Sequence, residues 1–125
     1  MVKNKVYFLL SGDTILQGLL GATTSNPKVY FFYPLEKIEN NLPCITYHFT
    51  EQPVDEPNII DKALVDGLLT IDIWSRGNTD EIESRIKEII KNTLKFKANL
   101  LTSVPLFEAD LKINHQQLLF QILGG

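Results

Sequence analysis

The sequence predicts an α+β fold: a mixed or antiparallel sheet of about four to five strands, an N-terminal helix, and one long helix packed on a face. Two observations carry this. Segments of strict apolar–polar alternation recur through the chain, at Ile45-Thr46-Tyr47-His48-Phe49-Thr50, at Leu69 to Trp74 and at Leu118 to Ile122, as half-buried strands require. Between the second and third lies an interval with helical spacing, Ile82, Ile86, Ile89 and Ile90.

The elements follow in order. Val6, Leu9 and Leu10, then Leu16, Leu19 and Leu20, recur at helical spacing, with Ser11-Gly12-Asp13 between them. This predicts a helix in two pieces. Asp13 caps the second by accepting from its free N–H groups, and Gly21 is the C-terminal stop. A loop follows from Ala22 to Lys28. Val29 to Tyr33 reads as a short aromatic strand closed by Pro34, and a charged turn leads through Asn40-Asn41 to a second strand over Pro43 to Glu51. Gln52 to Lys62, broken by Pro53 and Pro57, reads as a protruding loop. Leu64 to Ser75 returns as a strand, with Leu69, Ile71 and Ile73 on one face and Thr70, Asp72 and Trp74 on the other.

Gly77 ends that strand. Asn78 or Thr79 caps the next helix, and Glu81, three residues after Asn78, has the spacing of a capping box. Ile82, Ile86, Ile89, Ile90 and Thr93 form its apolar stripe, expected to pack on Leu69, Ile71 and Ile73. Glu81–Arg85 and Glu83–Lys87 are i,i+4 pairs in the favourable order, and Lys91 and Lys95 sit where the helix dipole favours cations. The tail reads as a hairpin: Phe107, Ala109, Leu111 and Ile113 in one strand, a turn at Asn114-His115, then Leu118, Phe120 and Ile122 in the other. The expected order is helix, three strands, helix, two strands, in one domain over residues 1–125, with no repeat, linker or low-complexity tract.

Bulk properties narrow the function. At 125 residues one fold buries roughly two-thirds of the surface its unfolded chain exposes. A net charge of −3 speaks against duplex nucleic acid, which is held by neutralising phosphates with Lys and Arg. Cys44 is the one cysteine, so no intramolecular disulfide forms. The apolar run behind Lys3 and Lys5 is too short for a signal core, and no stretch is long enough to span a membrane. These features predict a cytosolic protein made without export.

No catalytic constellation emerges, and no cofactor or metal is expected. His48 falls on a polar strand face and His115 in the predicted turn, too few ligands for a metal site. Cys44 and His48 share a strand face about 13 Å apart, too far for a nucleophile and its base. Cys44 therefore reads as a small packed thiol. The acids at Glu51, Asp55, Glu56 and Asp61 do not have the spacing of a calcium loop, and the glycines lack a phosphate-loop pattern.

Charge distribution says more. Glu51 to Asp66 carries five acids and one lysine, and Arg85 to Lys97 carries five basic residues and one acid. One reading is ordinary solvated surface. The other is head-to-tail association, in which the acidic face of one copy meets the basic face of the next, as in a ring. Candidate interface residues are Asp55, Glu56, Asp61, Lys62, Trp74, Lys91 and Lys95. Trp74 either packs under a helix or anchors an interface, where Trp is enriched.

The ordered set of motifs resembles the phage tail-completion and tail-terminator proteins, including the tail-to-head joining proteins of long-tailed phages. Leu9-Leu10, Asp13, Leu16 and Leu19-Leu20 resemble that family's interrupted first helix. Val29-Tyr30, then Pro34 through Leu42-Pro43-Cys44-Ile45, resemble its first strand, short loop and the start of its second strand. Leu69-Thr70-Ile71-Asp72-Ile73-Trp74-Ser75-Arg76 and Ile82 through Leu94 resemble its central strand and helix, and Phe107-Glu108-Ala109 through Ile122 its closing hairpin. The turn around Asn114 departs from the Asp-Gly expected there. The resemblance implies a structural, non-enzymatic virion protein of the tail–neck region, assembled in the bacterial cytoplasm. Its expected partners are itself, in a ring that is commonly a hexamer, the tail tube protein and the head-completion or connector protein. No specific nucleic acid and no membrane are implied. The alternatives are another neck protein, such as a head–tail stopper or adaptor, or an unrelated cytosolic binding module or small enzyme using Cys44 and His48.

Overall fold

The computed structural model describes residues 2–23, 25–31, 38–51, 67–92, 97–109 and 112–123. Helix α1 spans Val2–Ser11 and α2 spans Thr14–Leu20. The break between them has a local cause. The Gly12 N–H donates to the Phe8 carbonyl at 3.0 Å, and a Cβ on Gly12 would lie 2.8 Å from that oxygen, too close for any other residue without a shift. Asp13 then leaves the helical region (φ −83, ψ 114), and its carboxylate accepts from the Leu16 N–H at 2.8 Å. Gly21, at φ 64, closes α2 in the left-handed conformation. Lys28 Nζ donates to the Leu20 carbonyl at 3.1 Å, placing a cation at the negative end of that helix.

Strands β1 (Val29–Phe31), β2 (Cys44–Glu51), β3 (Gly67–Ser75), β4 (Lys97–Glu108) and β5 (Ile113–Leu123) form one sheet in the order β1-β2-β3-β5-β4. A short 3-10 turn, Glu39–Asn41, precedes β2. The β1–β2 pairing is parallel and the other three are antiparallel, so the sheet is mixed. Helix α3, Asp80–Lys91, connects β3 to β4.

Register puts the apolar residues of three strands on one face: Ile45 opposite Ile73, Tyr47 opposite Ile71, Leu69 opposite Phe120, and Ile71 opposite Leu118. That face shares one continuous core with Val6 and Leu10 of α1, Leu16 and Leu20 of α2, and Ile82, Ile86 and Ile90 of α3. The expected packing of the Leu69-Ile71-Ile73 face with the isoleucine stripe is thus present, with Ile89 half-buried at its margin and Thr93 outside the described residues. Arg85 ties α3 to α2: its Nη2 and Nε reach the two Asp13 oxygens at 2.6 and 2.8 Å. The Glu83–Lys87 pair forms at 2.7 Å.

The fold class and element order are as the sequence predicts, but several boundaries differ. Strand β2 begins at Cys44, while β1 is described to Phe31 and β3 from Gly67; Phe32 to Pro34 and the predicted loop, 52–62, lie outside the described residues. The capping box fails. Thr79 occupies the cap position, so the residue three further on is Ile82 and not Glu81; Asn78 Oδ1 instead accepts from the Asp80 N–H at 2.8 Å.

The larger correction concerns the final hairpin. Strand β4 ends at Glu108 and β5 begins at Ile113, with Lys112 at φ 55 just before it, so Asn114 and His115 are strand residues. Two causes hid this. Asn114 and His115, read as turn formers, have side-chain partners inside the fold, Asn114 Nδ2 donating to the Gly77 carbonyl at 2.8 Å. Strand β4 exposes apolar side chains on both faces, so it lacks the alternation that marks a half-buried strand.

Candidate functional site

The sheet face away from the helices carries a buried polar row built by register. Thr46 lies opposite Asp72, Asp72 opposite Gln117, and Trp74 between Cys44 and His115. The Trp74 indole Nε1 donates to Thr46 Oγ1 at 2.9 Å, and its ring stacks on the His115 imidazole with centroids 3.8 Å apart. His115 Nε2 lies 2.6 Å from Asp72 Oδ1 and Nδ1 lies 3.3 Å from Glu108 Oε1. Gln117 Nε2 donates to the same Asp72 oxygen at 3.1 Å. Around Trp74 lie Ile38, Cys44 and Ile113, with Tyr30 and Leu42 partly buried against them.

Both imidazole nitrogens lie against carboxylates, Nε2 against the buried Asp72 and Nδ1 against the part-exposed Glu108. Cys44 is fully buried, and burial pushes its thiol up to about 12, far from the thiolate that nucleophilic chemistry needs. The packed-thiol reading therefore holds. Among the described residues no three of His, Cys, Asp and Glu stand together as a metal-holding group.

The expected interface residues are only partly placed. Trp74 is 8% exposed and spends its indole within the subunit, not under a helix but on the opposite face of the sheet. Lys91 is exposed at the last residue of α3. Asp55, Glu56, Asp61, Lys62 and Lys95 lie outside the described residues. Helix α3 itself has polarity, with Asp80, Glu81 and Glu83 in its first turn and Lys91 in its last.

Two surface hollows flank α3. One, about 480 Å³, lies between α2 and α3 and is lined by Ile15, Leu19, Asp80, Glu81, Arg85 and Glu88. The other, about 580 Å³, lies at the start of α3 against the end of β4, lined by Asn78, Thr79, Pro105, Phe107 and Asn114 among others. Both are open surface hollows, unlike an enclosed ligand cavity.

Sequence reasoning missed the apolar surface of β4. Leu100, Leu101, Val104, Leu106 and Phe107 are each 39% exposed or more, and Phe107 reaches 60%. Residues from Ala98 to Phe107 carry no charge, which was the available signal. The polar row was missed as well, because only strand register brings Thr46, Asp72, His115 and Gln117 together.

No protein-family model and no curated protein matches the chain. Its fold is similar to that of a chain in the solved structure of the virion of a native gene transfer agent particle. That alignment covers 96% of this chain and 92% of the other, with a TM-score of 0.63 at 15% sequence identity. The two chains share a fold over nearly their whole lengths.

Proposed function

We propose that this protein is a structural, non-enzymatic subunit of a phage-like virion, and within it a tail terminator: a ring, commonly of six copies, at the head-proximal end of the tail tube. It stops tube growth and presents a surface to the head connector. The observation that carries the reading is the end-to-end fold similarity to a chain of a virion particle. The buried polar network and the apolar β4 surface support it, since they suit a protein that binds proteins.

The interface in this proposal is head-to-tail. Asp55, Glu56 and Asp61 of one copy meet Lys91 and Lys95 of the next, with Lys62 and Trp74 as further contact residues. Its partners are further copies of itself, the tail tube protein and the head-completion protein, and its place is the tail–neck region of the particle.

The test is assembly on tubes. Purified protein is mixed with polymerised tail tube protein and imaged in negative stain, with solution mass measured in parallel. Rings capping one tube end, and tubes that stop lengthening, are the expected result. Protein that never caps tubes refutes the terminator role. Binding to the portal side instead would assign it to the stopper or adaptor class of neck proteins. Charge reversal at Lys91 and Lys95 should weaken ring formation more at low salt than at high salt, because exposed charges are screened beyond roughly 10 Å at 0.1 M salt.

A further inference from the structure

We propose that the outer edge of β4 pairs antiparallel with the β4 edge of a second copy, giving a two-fold dimer whose sheet runs through both subunits. Strand β4 is terminal in the sheet order, and among the described residues its one partner strand is β5. Its 12 residues extend about 40 Å at roughly 3.3 Å per residue, a long template of backbone donors and acceptors. Edge strands that stay single are usually blunted by charge, above all by lysine. Here the interval from Ala98 to Phe107 has none; only Pro105 and the irregularity between Leu100 and Thr102 interrupt it.

The exposed side chains say what shape the partner has. Leu100, opposite Phe120, points to the helix side of the sheet, whereas Val104 and Leu106, opposite Gln117 and His115, point to the other. Apolar surface on both faces of one strand is not covered by a layer laid on either face. It is covered by a strand lying alongside, whose own side chains extend both surfaces.

Charge selects that strand and its direction. Lys97 begins β4 and Glu108 ends it. Antiparallel pairing of two copies brings the lysine end of each against the glutamate end of the other, while parallel pairing sets like against like. Glu108 has capacity for this: its side chain is 39% exposed, with one oxygen 3.3 Å from His115 Nδ1. Among the described residues the sheet's opposite edge, β1, has three residues, against twelve in β4. A two-fold contact uses the same patch on both copies, as an isologous interface must. It is distinct from the proposed ring contact, because neighbours in a cyclic ring are not related by a two-fold axis.

The experiment is sedimentation equilibrium of the full chain, reading the shift from the 14.2 kDa subunit toward twice that mass. Wild type should dimerise reversibly. Leu101→Lys and Val104→Lys, both exposed in the subunit and so tolerable to the fold, should each weaken association by about tenfold or more. Lys97→Glu and Glu108→Lys should each weaken it about two- to fivefold, and the double exchange should restore it. A wild type that stays monomeric up to roughly 0.1 mM overturns the proposal and leaves the β4 edge to a different chain. So does a dimer indifferent to Leu101→Lys, or a double exchange no better than its singles. Rings that still cap tubes when Leu101→Lys has abolished the dimer leave the terminator reading intact; a dimer without capping leaves this one intact.

Discussion

Replacing His115 by Phe should destabilise the protein by about 1–3 kcal/mol, the cost of leaving a buried acceptor under-satisfied. The substitution keeps an aromatic ring to stack on Trp74, now 3.8 Å from the imidazole, and removes both ring nitrogens. Asp72, 8% exposed, then retains the Gln117 amide at 3.1 Å but loses its shorter partner at 2.6 Å. Glu108 contributes little to the loss, because its side chain is 39% exposed and water replaces the imidazole. An unfolding entropy of about 2.1 cal/mol/K per residue, over 125 residues, is about 0.26 kcal/mol per degree. The expected fall in Tm is therefore about 4–11 °C, read by far-ultraviolet circular dichroism. The physical claim is specific to the pair. Asp72→Leu in the His115→Phe background removes the stranded carboxylate and should recover more than half of the loss, since deleting both partners is far cheaper than deleting one. A fall below about 2 °C, or losses that simply add in the double variant, would refute the idea that the buried row is an energetic unit.

Three other expectations follow from the packing. Ile86→Ala, at a fully buried site in the helix–sheet core, should cost about 3–4 kcal/mol by urea unfolding, while Ile89→Ala at the half-buried margin should cost under about half of that. The Arg85 guanidinium, with the Leu16 N–H, holds the Asp13 carboxyl below its ordinary range. A depressed carboxylate adds stability that is fully present above its unfolded pKa, about 3.9, and lost as pH falls through the lower folded value; Asp13→Asn should therefore destabilise the protein near neutrality, with the cost shrinking as pH falls below about 4, so that the acid limb of stability is flatter in the variant. Cys44, buried with its thiol raised to about 12, should react with a thiol reagent at the rate of global opening, so that mild urea accelerates labelling steeply; fast labelling of native protein would contradict the packed position.

How much was legible in the sequence depended on whether the signal was local. Asp13 and Gly21 are read correctly as cap and stop because a carboxylate and a glycine act within one turn of their own helix. The Ile82-Ile86-Ile90 stripe and the alternation at Leu69-Ile71-Ile73 are periodic, and a single buried face imposes that period. The helix cap at Thr79 shows the limit: one residue of shift moves Glu81 out of the box position, and nothing in the composition marks the shift.

The sequence by itself determined the α+β class, the element order, the two-piece first helix and the core faces of β2, β3 and β5, because each follows from spacing along the chain. Only the tertiary structure decided the rest. It placed β4 at the sheet edge, where a strand need not alternate, and so exposed an apolar surface that no periodicity announces. It moved Asn114 and His115 from a turn into β5, because residues remote in sequence, Gly77 and Asp72, supply their partners. And it turned Trp74 inward onto His115, since the choice between anchoring a partner and bracing the subunit depends on which strand lies alongside, a fact of register that no single strand contains.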